Sequence, residues 1–187
     1  AALKVGTDAM LLGALCAWEN PQHLLDIGTG TGVLSLMAAQ RFPFQTITAI
    51  DISEQAITDA QVNFQRATFP SAFAALQTSI QDFVCVKQYD AIICNPPYVN
   101  AASMNALPAE YHAEPELALA GGDDGMDIIR RILASAPDYL SDRGAILLEI
   151  GNEYENFKKA FPQIPAIWME VSAGEEQVLL IQAEDLR

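Results

Sequence analysis

The chain has 187 residues, of which 51% are hydrophobic, and a formal net charge of −14. This length suits one domain with a full core, and we expect residues 1–187 to form a single domain. The negative charge disfavours nucleic acid as a partner, because the chain lacks the basic surface that phosphate backbones attract.

The cysteines, histidines and apolar runs disfavour several further classes of protein. Cys16, Cys85 and Cys94 lie singly in apolar segments without CxxC spacing, which favours buried thiols in a reducing compartment. His23 and His112 are too few and too scattered for a zinc site. No apolar run is long enough to span a bilayer, and the amino terminus shows no secretory signal pattern. We therefore expect a cytoplasmic protein with neither a bound metal nor a membrane contact.

Short β-rich runs alternate with helical patterns along the chain. In chain order we predict a helix over 7–17, a strand over 23–28, a helix over 32–41, a strand over 46–52, a helix over 53–66, strands over 75–78 and 89–94, a helix over 126–140, and strands over 145–150, 167–171 and 177–182. Four of these strands are apolar nearly throughout, as strands covered on both faces should be.

The first and the last predicted helices carry more specific expectations. Thr7 is a candidate cap for the first helix, and the buried side of that helix is predicted to carry Met10, Leu11, Ala14 and Leu15. In the helix over 126–140, we expect Pro137 to introduce a kink or an early end, because proline lacks the backbone N–H.

The alternation of strands and helices predicts the fold class. It is typical of α/β proteins with a Rossmann-like, doubly wound sheet of seven mostly parallel strands. The last two strands follow each other too closely for a crossover helix. They should therefore form an antiparallel hairpin at one side of the sheet, which gives one antiparallel edge strand.

A glycine-rich loop, DIGTGTG, lies between the first strand and the second helix. Its glycines let the backbone turn sharply and approach a ligand closely, although such a loop can also be an ordinary turn. Asp51 ends the second strand about twenty residues later, where a carboxylate can accept both hydroxyls of a ribose. The candidate cofactor-binding residues here are Asp26, Gly28, Thr29, Gly30, Gly32, Asp51 and the adjacent Ile52.

This DxGxGxG pattern with an acidic end to the second strand resembles the S-adenosylmethionine loop of class I methyltransferases. The resemblance implies S-adenosyl-L-methionine as the cofactor, with Asp26 near its ammonium group. In SIQDFV, Asp82 is then a candidate to bond the adenine amine and Phe83 to pack on its ring. Read alone, these two residues are also compatible with a turn followed by a core aromatic residue.

The run IICNPPYVN ends a predicted buried strand at Asn95, beside the strand that leads into the glycine loop. Ligands bind at such positions in open α/β sheets. The Asn95 side-chain carbonyl and the Pro96 backbone carbonyl form a pair of acceptors that suits an NH2 group, and Tyr98 can stack on a planar target. Asn95, Pro96 and Tyr98 are therefore the candidate catalytic residues, and Asn95 also borders the cofactor.

Together the two motifs resemble the amino methyltransferases that modify planar nitrogens. From Asn95 onwards the chain is similar to the HemK-type protein-glutamine methyltransferases, most closely the branch acting on a large-subunit ribosomal protein. The matching segments are EPE at 114–116, GGDDG at 121–125 and GAILLEIGN, whereas His112-Ala113 departs from the expected Arg-His. The stretch LKVGTDAMLLGAL instead resembles bacterial tRNA adenine methyltransferases, so the chain is a truncated, divergent or recombinant relative.

The resemblance implies transfer of a methyl group to the side-chain amide of a glutamine in a ribosomal protein or release factor. A tRNA adenine amine is the alternative target, and the acidic composition favours the protein. A non-catalytic cofactor-binding domain is the alternative of another class. An NAD-dependent oxidoreductase is less compatible, because no Tyr/Lys pair or histidine is arranged for hydride transfer.

Overall fold

The computed structural model describes residues 7–15, 18–85, 87–104, 120–171 and 174–187. The strands are β1 (His23–Ile27), β2 (Thr46–Asp51), β3 (Ala72–Gln77), β4 (Tyr89–Cys94), β5 (Leu140–Glu149), β6 (Ile167–Val171) and β7 (Gly174–Gln182). The helices are α1 (Thr7–Ala14), α2 (Val33–Arg41), α3 (Glu54–Arg66), α4 (Ala101–Met104), α5 (Asp127–Tyr139) and α6 (Tyr154–Ala160), followed by a 3-10 helix (Ala183–Leu186).

All seven strands form one sheet in the order β3-β2-β1-β4-β5-β7-β6. The pairs among the first five strands are parallel, whereas β7 is antiparallel to both β5 and β6. This confirms the predicted Rossmann-like, mostly parallel sheet with a terminal hairpin. The reversed strand is β7, which lies second from the edge, and β6 takes the outermost position.

The strand order reverses between β1 and β4, and open α/β sheets bind their ligands at such a reversal. The chain first builds outward from β1 through β2 to β3. It then returns to the other side of β1 and builds outward through β4 and β5. The carboxyl ends of β1 and β4 therefore lie side by side at the point where the strand order reverses.

Two apolar layers cover the sheet, one on each face. Successive residues of β4 point to opposite sides, so that Ile92 packs in the layer with Ile129 of α5, while Ile93 packs with Leu34 of α2. Leu12 of α1 belongs to the second layer and is fully buried. Burial of both faces explains why the central strands have no polar alternation.

Helix α1 presents a different side to the core from the one predicted. Met10 is 47% exposed and Ala14 is exposed, so their predicted burial was wrong, whereas Leu12 is buried. Gly13 allows a close approach to α2, since a Cβ there would lie 2.6 Å from the Met37 sulfur. A short helix with apolar residues all round has no sequence pattern that fixes its orientation. The predicted end of this helix, at 16–17, lies outside the described residues.

Helix α5 continues through Pro137 to Tyr139, so the early end that we expected there was wrong. The helical hydrogen bonding resumes at once, because the backbone N–H of Leu140 donates to the Ala136 carbonyl. Pro137 lies in the last turn, where only one helical hydrogen bond is lost. Helix α6 was not predicted, although its Phe157 is fully buried.

Candidate functional site

Four neighbouring strands end at the same level of the sheet. The register aligns their last paired residues, Ile27 with Ile50 and Cys94, and Cys94 with Leu148. The residues that come next are Gly28 after β1, Asp51 in β2, Asn95 after β4 and Glu149 in β5. The glycine loop, the acidic end of β2 and the Asn-Pro-Pro-Tyr loop are therefore adjacent, as the sequence predicted.

The glycine loop is fastened to the end of β2 by backbone hydrogen bonds. The N–H groups of Gly28 and Thr29 both donate to the Ile50 carbonyl, at 2.8 and 3.0 Å. The N–H of Gly30 donates to Oδ2 of Asp51 at 3.0 Å. These bonds fix the loop before α2 begins, so the loop is preorganised by its own neighbours.

Two glycines of this loop are required for different reasons. Gly32 has φ +81°, and a Cβ there would lie 2.6 Å from the Phe64 ring, so close packing excludes a side chain. Gly28 has φ +71°, and a Cβ there would meet nothing within 4 Å. Gly28 is also exposed, so the space beside it is accessible from solvent. This is the surface that a bound molecule can approach closely.

Asp26 is completely buried beneath the loop. Its Oδ2 accepts hydrogen bonds from the hydroxyls of Thr29 and Ser35, both at 2.7 Å. Its Oδ1 has no hydrogen-bond partner among the described residues. Desolvation raises the pKa of Asp26 from 3.8 to about 6, and the negative charge of Asp51 adds to this rise. One oxygen is thus fixed, and the other can accept a donor from a ligand.

Ser35 was not predicted as part of the site. It lies in α2 and is fully buried, where its hydroxyl holds the Asp26 carboxylate. The sequence feature that could have revealed Ser35 is its place as a lone polar residue in the apolar segment VLSLMAA, which closely follows the glycine loop. A buried hydroxyl needs a partner, and the nearest acid in sequence is Asp26.

Asp51 is 8% exposed, and each of its carboxylate oxygens accepts one backbone N–H. Gly30 donates to Oδ2 and Ser53 donates to Oδ1, at 3.0 and 2.9 Å. A carboxylate oxygen has capacity for a second donor, so a ribose hydroxyl can still be accommodated. The adjacent Ile52 is 63% exposed and offers an apolar surface beside the carboxylate. The roles of both residues in cofactor binding stay predictions.

Asp82 and Phe83 follow β3 in a turn. Asp82 is exposed, and its Oδ2 accepts a hydrogen bond from the Ser79 hydroxyl at 2.6 Å. The Phe83 ring packs against Tyr139 and Tyr89, with centroids 5.6 and 6.5 Å apart. Phe83 thus has contacts with the core aromatics, and its packing against adenine stays a prediction.

The Asn-Pro-Pro-Tyr loop leaves β4 with Pro96 buried, while Asn95 and Tyr98 are half-buried. The Tyr98 hydroxyl lies 3.4 Å from Oε1 of Glu149. Half-burial suits groups that must be held firmly and still reach an incoming side chain. The loop was predicted from sequence, but Glu149 was not, although it is the one acid in the apolar run AILLEI.

The electrostatic field at this edge of the sheet is negative. Burial raises the pKa of the Cys94 thiol well above its usual range, and the charges of Asp26, Asp51 and Glu149 raise it further. Asp26 in β1, Asp51 at the end of β2 and Glu149 at the end of β5 thus all contribute negative charge near the carboxyl end of β4. Such an environment favours a cationic ligand.

Among the described residues, metal-binding clusters and membrane-spanning helices are both absent. No group of three or more histidine, cysteine or acidic side chains there is arranged to hold a metal ion. None of the helices in the described part of the chain is long and apolar enough to cross a membrane.

Solved structures share this fold at low sequence identity. A methyltransferase from Pyrococcus furiosus superposes with a TM-score of 0.66 at 18% identity, covering 95% of this chain and 82% of that one. The ribosomal protein L11 methylase of Lactobacillus delbrueckii subsp. bulgaricus gives a TM-score of 0.63 at 16% identity, covering 96% of this chain and 79% of that one. These matches establish the architecture.

Curated relatives are much closer in sequence. The ribosomal protein uL3 glutamine methyltransferase of Bordetella pertussis is 44% identical over 165 residues, which cover 88% of this chain and 55% of that protein. Its namesake from Burkholderia pseudomallei is 43% identical over 178 residues, covering 90% of this chain and 58% of that protein. The chain spans about half the length of these relatives. Residues 3–110 match the family model described as the methyltransferase small domain, and the chain belongs to this family.

Proposed function

We propose that the chain is the catalytic part of an S-adenosylmethionine-dependent protein-glutamine N-methyltransferase whose substrate is ribosomal protein uL3. The observation that carries this proposal is the alignment of Gly28 and Asn95 at the ends of two adjacent strands. The names of relatives that are more than 40% identical over most of this chain support the substrate.

The described residues suit the cofactor. Oδ1 of Asp26 is a buried acceptor that fits an ammonium group, and the surface of Gly28 accepts a close approach. Asp51 would hold the ribose, with Ile52, Asp82 and Phe83 near the adenine. When bound, S-adenosylmethionine supplies a methyl group activated by a positively charged sulfur. The negative field of Asp26 and Asp51 suits that charge.

The Asn-Pro-Pro-Tyr loop would bind and orient the target amide. Its nitrogen is a poor nucleophile, because the lone pair is delocalised into the carbonyl group. Asn95 and the Pro96 carbonyl would accept its two N–H bonds, which holds the nitrogen for attack and favours a pyramidal geometry. Tyr98 would pack on the plane of the amide. This contribution is one of positioning and electrostatics. It needs no strong base, because one N–H proton becomes acidic as the methyl group is transferred and can then pass to solvent.

Charge supports a protein substrate over an RNA. The chain carries 24 acidic and 10 basic residues, so it repels a phosphate backbone and attracts a basic protein. A ribosomal-protein substrate would place the reaction in the cytoplasm.

Incubation of the chain with radiolabelled S-adenosylmethionine and purified uL3, release factor or tRNA tests the proposal. We expect label on uL3, on one glutamine located by mass spectrometry, and no label after that glutamine is replaced by asparagine. Label on tRNA with none on protein would show the adenine alternative to be correct. Cofactor binding with no label on any of the three would favour a non-catalytic domain.

A further inference from the structure

Glu149 is a buried acid, and its position in the site calls for an explanation. It ends β5, it is 2% exposed, and it follows Leu148, the partner of Cys94 in the neighbouring strand. It therefore lies across from Asn95 at the carboxyl edge of the sheet. A buried carboxylate is costly unless it is hydrogen-bonded, so a role in this edge is expected for it.

One contact of this carboxylate is with Tyr98. Its hydroxyl lies 3.4 Å from Oε1 of Glu149, which is longer than an ordinary O–H···O hydrogen bond and makes this a weak one. The two residues join the loop after β4 to the end of β5. The carboxylate contacts the hydroxyl, which is the part of the side chain farthest from the backbone. A contact at this point restricts the orientation of the ring most strongly.

Glycines enclose Tyr98 from two other sides. A Cβ at Gly151 would lie 2.3 Å from Cε2 of the ring. Cβ atoms at Gly121 and Gly125 would lie 2.8 Å from the Tyr98 Cα and 2.3 Å from its carbonyl oxygen. The GGDDG turn and the segment after β5 are thus in van der Waals contact with this residue. Close packing fixes the backbone and one ring edge, and Glu149 fixes the hydroxyl.

A second anchor holds the following part of the loop. The Asn100 side-chain amide donates to Oε1 of Glu153 at 2.7 Å, and Glu153 is 6% exposed. The Val99 carbonyl accepts the Gly121 N–H at 2.9 Å. Because Asn100 is already held in this way, Glu149 is not needed merely to keep the loop in place, and its effect is concentrated on the Tyr98 ring.

We infer that Glu149 is a positioning residue for transfer: its carboxylate sets the orientation of the Tyr98 phenol and so the ring face on which the target amide packs. This inference rests on the proposed function. The carboxylate also makes the ring more electron-rich through the hydroxyl, which stabilises the positive charge that develops on the methylated nitrogen. Glu149 acts through Tyr98 and does not touch the reacting atoms.

A double-mutant cycle with Glu149→Gln and Tyr98→Phe, measured on a uL3 substrate, tests the coupling. Glutamine keeps the shape of Glu149 and removes the charge. We expect E149Q to lower kcat about tenfold, with unchanged affinity for S-adenosylhomocysteine, and to have little further effect in the Y98F background. The control is Glu155→Gln, an exposed acid in α6, whose effect should combine additively with that of Y98F. An E149Q effect of equal size in both backgrounds, or none at all, would refute the inference.

A spectroscopic experiment tests this inference independently of the proposed function. With tyrosine labelled with carbon-13 at Cζ, the Tyr98 signal is identified by its loss in Y98F. E149Q should move that signal and leave the Tyr154 signal in place, with an unchanged melting temperature. An unmoved Tyr98 signal would rule out the contact whatever the activity. A moved signal in a chain that methylates no glutamine would uphold the contact and reject the proposed substrate.

Discussion

The backbone N–H of Gly30 donates to Oδ2 of Asp51 across 3.0 Å, which joins the glycine loop to the end of the neighbouring strand. The same carboxylate holds the N–H of Ser53 at the start of α3. Asp51 therefore has two tasks, since it organises the backbone around the site and it is the predicted partner of the cofactor ribose.

Replacing Asp51 by alanine should weaken cofactor binding strongly. It removes the ribose acceptor and the anchor of Gly30, and we expect the Kd for S-adenosylhomocysteine to rise roughly 10- to 100-fold, since hydrogen bonds to a charged group are worth about 1.5–3 kcal/mol each. Calorimetric titration measures the change. Asp51→Asn, which keeps an acceptor, should lose less. Unchanged affinity in D51A would mean that the ribose is held elsewhere.

Asn95→Ala should separate chemistry from cofactor binding. The alanine removes one of the two acceptors proposed for the target amide and leaves the glycine loop intact. We expect kcat to fall by about a factor of 100 or more, with the Kd for S-adenosylhomocysteine within about twofold of wild type. Rapid-quench kinetics and calorimetry provide the two measurements. A fully active N95A enzyme would exclude the proposed role of Asn95.

The buried carboxyl group of Asp26 should make the free energy of unfolding smaller at neutral pH than at about pH 4. Its folded pKa of about 6 is above the ordinary 3.8, so the folded state binds this proton more tightly than the unfolded state does. The contribution of Asp26 to the free energy of unfolding therefore rises as pH falls from about 6 towards 4, and it is lost as pH rises through 6.

Asp26→Asn should remove this pH dependence. Asparagine keeps an acceptor for the Thr29 and Ser35 hydroxyls and carries no charge. Between pH 7.5 and pH 5, we expect the stability difference between D26N and wild type to change by about 1–2 kcal/mol, with D26N relatively more stable at the higher pH. Urea denaturation at both pH values gives the difference. A difference independent of pH would contradict the raised pKa.

Gly28→Ala and Gly32→Ala form a matched pair. Both glycines have positive φ, but only at Gly32 would a Cβ collide with Phe64. We expect G28A to cost about 1 kcal/mol of stability and G32A about 2–4 kcal/mol, because overpacking adds to backbone strain. G28A should nevertheless lower the affinity for S-adenosylhomocysteine, since its methyl group occupies the open side of the loop. Chemical denaturation and calorimetry separate the two effects, and equal stability losses would contradict the packing argument.

The sequence was most informative where burial is complete. The bounds of β4 were predicted to the residue, because an apolar run covered on both faces ends abruptly at Asn95. The motifs at Gly28–Gly32 and Asn95–Tyr98 were brought together as predicted, since parallel strands with known order place their loops at one edge.

Elements with polar or exposed residues were harder to place. Strand β5 begins at Leu140, five residues before its apolar run, because its first half is the polar segment Ser141–Gly144. Strand β3 also begins earlier than predicted, since it lies at the edge of the sheet and has exposed positions. The orientation of α1 depends on the contact of Gly13 with Met37, which no local pattern encodes. Ser35 and Glu149 were missed because their partners, Asp26 and Tyr98, lie 9 and 51 residues away along the chain.

The level at which Ile27, Ile50, Cys94 and Leu148 align has a consequence for protein engineering. Inserting one amino acid within β4 would displace Asn95 along the strand axis by about 3.3 Å and turn every following side chain of the strand to the opposite face. Such an insertion would abolish catalysis without replacing any residue named as catalytic. The pairing register of the strands thus determines the distances between the reacting groups.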